Sequence, residues 1–173
     1  MQIRREWAMP NHNTFSIKPI KELILKYIDG QWIDPFSRNS PQGVREYCIT
    51  NDLNPEFEAD YHLESLEFLR LFEPVSFDGL LFDPPYSPRQ ISECYKGIGR
   101  HVHMTDTQSS FYGDRKMQAA NLIKVGGISI SFGWNSGGMG KKNGFEIVEI
   151  LLVAHGGAHN DTIATVERKV RHQ

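Results

Sequence analysis

The sequence predicts an α/β fold with a doubly wound, mostly parallel sheet and an antiparallel C-terminal hairpin. Short apolar runs alternate with amphipathic stretches along most of the 173 residues, an order typical of parallel sheets with helices on both faces. The last two apolar runs, 145–155 and 162–170, are joined by a short glycine-containing segment, which predicts a hairpin. We therefore expect one domain over 1–173, with the hairpin adding an antiparallel strand at the edge of the sheet.

The composition is that of a soluble globular protein, with 39% hydrophobic and 23% charged residues. No apolar run approaches the ~20 residues of a membrane span, and the polar start is not a signal peptide. Cys48 and Cys94 make no disulfide framework, so a reducing cytoplasm is the expected location. A formal net charge of −2 gives no overall signature of a nucleic-acid-binding protein, although basic residues cluster locally.

The first half of the chain alternates helices and strands. A polar N-terminal segment over 1–13 is expected to be extended or a loop, and the helix over 14–28 has its apolar residues on one face. The polar stretch 37–43 is expected to be a loop. Strands are predicted over 31–34, 46–52 and 59–63, and a helix over 65–72.

The second half is organised around a buried strand over 79–82, which two prolines stop abruptly. A long loop over 97–114 is predicted, with little regular structure over 133–144. Helices are predicted over 88–96 and 115–122, a turn over 124–127, and strands over 128–132, 145–155 and 162–170.

The central strand ends on Asp83, followed by Pro84, Pro85 and Tyr86. Ligands of open α/β sheets bind at the carboxyl ends of the strands. The prolines fix backbone carbonyls there, the carboxylate accepts hydrogen bonds, and the tyrosine offers a flat face for stacking. This combination suits a planar ring that carries an amino group, although an ordinary turn after a strand has the same residues.

Six stretches occur in an order that resembles the motifs of a known enzyme family. They are 15–20, 33–37, 50–55, 62–69, 83–86 and 124–128 followed by the hairpin. The chain resembles S-adenosylmethionine-dependent DNA adenine-N6 methyltransferases with an Asp-Pro-Pro-Tyr motif, particularly the short phage forms. The resemblance covers roughly 15–169 and implies a Rossmann-like class I methyltransferase fold.

The resemblance implies S-adenosylmethionine as cofactor and assigns residues to hold it. Asp52 would accept the ribose hydroxyls, although it is equally suited to capping the following turn. Glu64 would contact the adenine, although a carboxylate early in a helix is also favoured by the helix dipole. The methionyl end would lie against the residues around Asp34, with 15–18 closing over it. The implied cofactor residues are Phe15, Ser16, Ile17, Lys18, Asp34, Pro35, Phe36, Asp52, Leu53, Glu64 and Ser65.

Two positions in the motifs depart from the family pattern. Ser37-Arg38-Asn39 occupies the place where the family usually has glycines, which let the backbone approach the cofactor. Glu64 stands where the family usually has aspartate. Either the loop is rebuilt around Arg38 or cofactor affinity is lower.

The resemblance also implies a mechanism for the motif at the central strand end. Asp83 and the Pro84 carbonyl would accept hydrogen bonds from an exocyclic amine, Pro85 would stiffen the turn, and Tyr86 would stack on the base. A base inside a duplex cannot reach such a pocket, so base flipping is implied. Aspartate at position 83 favours adenine N6 in this family, whereas serine is commoner for cytosine N4.

DNA is the predicted partner, and the long loop over 97–114 is the predicted target contact. Candidate contacts to DNA or the target base are Arg100, Phe111, Tyr112 and Trp134, although the loop could lack a function and Trp134 could belong to the core. Cys94, His101 and His103 lack a fourth ligand at suitable spacing, so no metal is predicted.

The chain has no room for a separate recognition domain. Target choice would therefore be weak, come from the loop, or be supplied by a homodimer or a partner protein. The resemblance places the enzyme in a bacterial or phage-infected cell. RNA adenine, a protein glutamine amide, and a non-catalytic binding module remain the alternatives.

Overall fold

A computed structural model of the chain describes residues 1–85, 88–97, 99 and 109–172, and it contains one seven-stranded sheet. The strand order is β1-β6-β7-β5-β4-β2-β3. The strands are β1 (Gln2–Trp7), β2 (Trp32–Asp34), β3 (Cys48–Thr50), β4 (Phe77–Phe82), β5 (Ile123–Gly133), β6 (Phe145–Ala154) and β7 (Thr162–Lys169). The helices are α1 (Lys18–Tyr27), α2 (Gln42–Arg45), α3 (Ser65–Leu69), α4 (Pro88–Gly97) and α5 (Ser109–Leu122), with short 3₁₀ turns at Thr14–Ser16 and Lys141–Asn143.

The predicted fold class is confirmed, since all strand pairs are parallel except those that involve β7. The predicted position of the hairpin's antiparallel strand is wrong. β7 lies inside the sheet between β5 and β6, and the outermost strand on this side is β1. Most β7 residues are buried, so both sides of the strand and both of its faces are covered. Among the described residues, no helix is long and apolar enough to cross a membrane.

Two apolar layers cover the sheet, one on each face. Residues of α1 such as Leu23 and Ile24 pack on Leu151 and Val166 of the hairpin. On the opposite face, α3 and α5 pack on β2, β4 and β5. The Trp32 ring of β2 lies against Gly79 of β4, where a Cβ would collide with the ring.

The predicted third strand over 59–63 is wrong: only one bridge, between Asn51 and Tyr61, forms there. The carboxylate of Asp60 accepts hydrogen bonds from both the backbone N–H and the hydroxyl of Thr50, each at 2.8 Å. The Asp60 side chain therefore takes the donor that a continuous ladder would use.

Other differences concern where elements begin. The N-terminal segment contributes β1 to the sheet, and α2 forms beside the predicted loop over 37–43. α5 begins at Ser109, so the last part of the predicted loop over 97–114 is helical. The predicted turn over 124–127 lies within β5 as a bulge, where pairing with β4 passes from Phe77–Ile123 to Gly79–Ile128 and Gly126 has a φ of +89°.

Lys169 makes folding stability depend on pH in the alkaline range. Its buried ammonium group donates to the Ala120 carbonyl near the end of α5, and burial lowers the pKa of Lys169 from its usual 10.5. Between the folded pKa and 10.5, Lys169 is therefore more often protonated in the unfolded chain than in the folded protein. The free energy of unfolding that this group contributes rises with pH across that range. We expect Lys169→Met to remove that rise, measured by urea unfolding across this pH range. Lys142→Met, at an exposed lysine, is the control, and equal slopes for wild type and Lys169→Met would contradict the prediction.

Candidate functional site

A cavity of about 630 Å³ opens at the carboxyl ends of the strands. Its wall is formed by residues that follow β2, β3, β4, β5 and β6, together with the segment before α1. Its volume lies within the roughly 300–1,000 Å³ typical of small-molecule sites. The predicted site residues that line it are Ile17, Pro35, Phe36, Asp52, Leu53, Glu64, Ser65, Asp83, Pro84, Pro85 and Trp134.

Asp83, Pro84 and Pro85 form one wall of this cavity. Asp83 is partly buried and Pro84 is fully buried, as expected for a turn held at the end of the buried strand β4. The hydroxyl of Tyr112 on α5 donates a hydrogen bond to the Pro85 carbonyl, so a residue predicted to contact DNA is attached to this turn. Tyr86 lies outside the described residues.

Asp52 anchors the loop over 37–39. Its Oδ2 accepts the backbone N–H of Arg38 at 2.9 Å, and its Oδ1 accepts that of Asn54 at the same distance. Burial raises the pKa of Asp52, and these two hydrogen bonds oppose that effect. The capping interpretation of Asp52 is therefore correct, while its carboxylate also faces the cavity.

Arg38 adopts a backbone conformation that favours glycine. Its φ is +45°, in the left-handed region that side chains disfavour. The guanidinium donates to the His12 carbonyl at 3.0 Å and lies 5.8 Å from the centre of the Phe57 ring. The side chain of Arg38 therefore joins two segments that line the cavity.

Comparing two substitutions at this position isolates the backbone strain. Arg38→Gly and Arg38→Ala remove the same side-chain contacts, but only glycine relieves the left-handed conformation. We expect Arg38→Gly to exceed Arg38→Ala by roughly 1 kcal/mol in free energy of unfolding, measured by urea denaturation. Equal free energies of unfolding for the two variants would show that the backbone at position 38 is not strained.

Asp34 is fully buried and does not line the cavity. Its Oδ1 accepts the Phe36 backbone N–H at 3.2 Å, and its Oδ2 accepts the Ser40 hydroxyl at 3.3 Å. Burial raises the pKa of Asp34 well above its usual value, and the nearby carboxylates of Asp83 and Asp52 raise it further. Asp34 thus shapes the loop, while the neighbouring Pro35 and Phe36 reach the cavity.

Asn51 connects the ends of β2 and β3 to the segment before α3, and it was missed as a site residue from the sequence. Its buried side-chain amide donates to the carbonyls of Pro35 at 3.2 Å and Leu63 at 3.0 Å. Its Oδ1 accepts the Leu63 backbone N–H at 2.9 Å. The signal available in the sequence was an amide residue immediately before Asp52 at a strand end.

Glu64 lies in a hydrogen-bonded network that the sequence did not predict. It caps α3 by accepting the Leu66 N–H at 3.1 Å, as the helix-dipole interpretation required. Tyr95 donates to Oε1 at 2.7 Å, and Arg115 donates to Oε2 at 2.6 Å. Arg115 also donates to the Ser65 hydroxyl at 2.7 Å, so α3, α4 and α5 are joined at the cavity wall.

The remaining predicted cofactor residues lie just before α1 and at its start. They differ in burial and in whether they line the cavity. Phe15 is in the core, 5.0 Å from the Phe132 ring centre, whereas Ser16 and Lys18 are exposed. Of this segment, only Ile17 among the predicted residues lines the cavity. Trp134 lines the cavity with its side chain largely exposed, so the core alternative for this residue is wrong.

His155 forms part of the cavity wall that the sequence did not assign. Its ring nitrogens are hydrogen-bonded to the Ala8 carbonyl and the Thr162 hydroxyl, both at 2.8 Å. Arg100 and the side chain of Phe111 lie outside the described residues. Within the described part of the chain, no cluster of histidine, cysteine or carboxylate side chains could hold a metal ion.

No family model and no curated protein sequence matches this chain. Solved structures are nevertheless similar. TrmN from Thermus thermophilus has a TM-score of 0.58 at 15% identity, over 89% of this chain and 49% of TrmN. This chain therefore spans about half the length of TrmN.

Two further structures extend the likeness. The 1,6-didemethyltoxoflavin-N1-methyltransferase of Burkholderia thailandensis, with bound S-adenosylhomocysteine, gives a TM-score of 0.55 at 13% identity, over 89% of this chain and 78% of that enzyme. A candidate rRNA-methylase from Clostridium thermocellum gives 0.56 at 9% identity, over 95% of this chain and all of that protein. At these identities the likeness concerns the fold, and this chain has the Rossmann-like fold of class I methyltransferases.

Proposed function

We propose that this chain is an S-adenosylmethionine-dependent methyltransferase that acts on an exocyclic amine, with adenine N6 in DNA as the preferred target. One observation carries the proposal. The carboxylate of Asp83 and the turn at Pro84 and Pro85 share a cavity with Asp52 and Glu64, which are suited to hydroxyl and amino groups. Similarity in fold to methyltransferases supports the same reaction class.

The hydrogen-bond acceptors in the cavity fit this cofactor. Each oxygen of Asp52 accepts one backbone N–H and keeps a lone pair for a ribose hydroxyl. The hydrogen bonds from Leu66, Tyr95 and Arg115 use three of the roughly four acceptor positions of Glu64, which leaves one on Oε1 for an adenine amino group. We propose that Pro35, Phe36 and Ile17 contact the methionyl end, and that Asp34 acts through the loop it orders.

When bound, the cofactor supplies a methyl group on a positively charged sulfonium. The chain's own contribution is to make the target nitrogen nucleophilic. An amine conjugated to its ring is a poor nucleophile because its lone pair is delocalised. We propose that Asp83 and the Pro84 carbonyl accept hydrogen bonds from this amine, favour a tetrahedral nitrogen, and hold it in line for transfer.

The sequence motif supports DNA, while the likeness to a candidate rRNA-methylase supports RNA as the second substrate. For either polymer, Trp134 at the cavity mouth would stack on the target base. Tyr86 and Arg100 retain their predicted roles as proposals, as does Phe111. For Tyr112, we propose that its bond to the Pro85 carbonyl holds the catalytic turn rather than contacting DNA.

The experiment supplies S-adenosylmethionine labelled in its methyl group with unmethylated duplex DNA, single-stranded DNA, RNA and protein in separate reactions. We expect label in DNA, recovered as N6-methyl-2′-deoxyadenosine after digestion to nucleosides. Label in RNA alone would overturn the DNA assignment and keep the reaction class. Label in protein alone would overturn the nucleic-acid target.

A calorimetric titration with S-adenosylhomocysteine measures binding independently of methyl transfer, and so tests the alternative of a non-catalytic binding module. Binding without transfer to any substrate would identify a binding module and overturn the proposed activity. Absence of both binding and transfer in folded protein would overturn the cofactor as well.

A further inference from the structure

The outer edge of β1 is available for pairing. All six residues of β1 pair with β6, and no strand of the described sheet lies on the other side. The Ala8 N–H donates to the Ala154 carbonyl at 3.1 Å, so even-numbered residues direct their backbone groups to β6. Because backbone groups alternate along a strand, those of Ile3, Arg5 and Trp7 are directed to the open edge.

The side chains on this edge are apolar at alternating positions. Ile3 is 67% exposed and Trp7 is 65% exposed, and the flanking Met1 and Met9 are also exposed. Natural proteins usually protect an exposed edge with charged residues, proline or a bulge, and an exposed apolar edge strand tends to pair with another chain. A pairing partner therefore has to match both the backbone spacing and these apolar groups.

A second copy of β1 matches both when it runs antiparallel about a two-fold axis at Arg5. Residues with outward backbone groups then face each other, with Ile3 opposite Trp7 of the second copy. Arg4 and Glu6 form an ion pair at 2.8 Å within one chain, and in this register they lie opposite Glu6 and Arg4 of the second copy, in pairs that bring side chains closest. A register shifted to centre on Arg4 instead places Arg4 opposite Arg4. Charge complementarity thus selects the axis at Arg5.

We propose that the chain forms a homodimer through antiparallel pairing of β1, so that the sheet continues from one copy into the other. The interface combines backbone hydrogen bonds, two Ile3–Trp7 contacts and two Arg4–Glu6 ion pairs. Arg5 lies opposite Arg5 at the axis, where like charges weaken the dimer. This proposal does not depend on methyl transfer, because its test reads only association.

Sedimentation equilibrium of the full chain tests the interface with a matched pair of variants. Arg5→Pro removes an outward N–H that β6 does not use, so the fold is kept while the two central hydrogen bonds are lost. We expect it to raise the dimer dissociation constant roughly ten- to a hundred-fold. Arg5→Ala keeps the N–H and removes the repulsion, so its dimer is expected to be at least as tight as that of wild type.

Circular dichroism checks that each variant is folded. A wild-type chain that stays monomeric at every concentration would overturn the proposal, as would an Arg5→Pro dimer as tight as wild type. Glu6→Arg tests the register, because it places like charges opposite Arg4 and should weaken the dimer. An unchanged dissociation constant for Glu6→Arg would overturn the axis at Arg5.

Discussion

Replacing Asp83 with alanine is expected to lower the rate of methyl transfer by roughly 10²–10⁴-fold, the range for losing a positioned proton-accepting group. Asp83 lies on the cavity wall at the end of β4, where its carboxylate would hold the target amine. Cofactor affinity is expected to change little, because the residues proposed to hold the cofactor lie at the other strand ends. The rate is measured with labelled cofactor at saturating substrate, and affinity by calorimetry.

The matched control is Glu22→Ala, which removes an exposed carboxylate from α1, away from the cavity. It should transfer methyl groups at the wild-type rate. If Asp83→Ala retained more than about a tenth of the wild-type rate, the proposed role of this carboxylate would be wrong.

Asn51→Leu is expected to have the largest effect on stability. Leucine has a similar size but cannot pair with the Pro35 carbonyl or with the Leu63 backbone groups. Each buried polar group left without a partner costs about 1–3 kcal/mol, so we expect the free energy of unfolding to fall by roughly 3 kcal/mol or more. Urea unfolding followed by circular dichroism measures this loss.

Asn54→Leu is the control for Asn51→Leu. Asn54 lies in the same segment, and its side chain accepts one exposed hydrogen bond from the Glu56 N–H. This substitution should cost no more than about 1 kcal/mol. Comparable losses for the two variants would show that Asn51 does not join the strand ends in the way described.

The order of elements was predictable because periodicity is local. The helix over 14–28 could be recognised from apolar residues that share one helical face, and the strand over 79–82 from its short apolar run ended by two prolines. The place of β7 inside the sheet was not predictable in this way, since it depends on which strand edges remain open after the others have paired. The strand over 59–63 failed because one carboxylate, Asp60, competes for a backbone donor.

The candidate site was also predictable only in part. The strand ends at Asp52 and Asp83 were predicted to share a site, and both line one cavity. Sequence could not predict that Asp34 would be buried behind its own loop, or that Arg115 would reach Glu64 and Ser65 from a helix about 50 residues away. Such contacts depend on how separate elements pack, which no spacing along the chain encodes.

Arg38 affects both the stability of the fold and the attachment of the loop at the cavity rim. Its backbone conformation favours glycine, so selection for stability at this position would tend to remove the side chain. That same side chain fastens the loop to His12 beside the cavity. A stabilising change at position 38 would therefore also unfasten the cavity rim, and an arginine kept there in related chains would indicate that the rim contributes to fitness more than the strain costs.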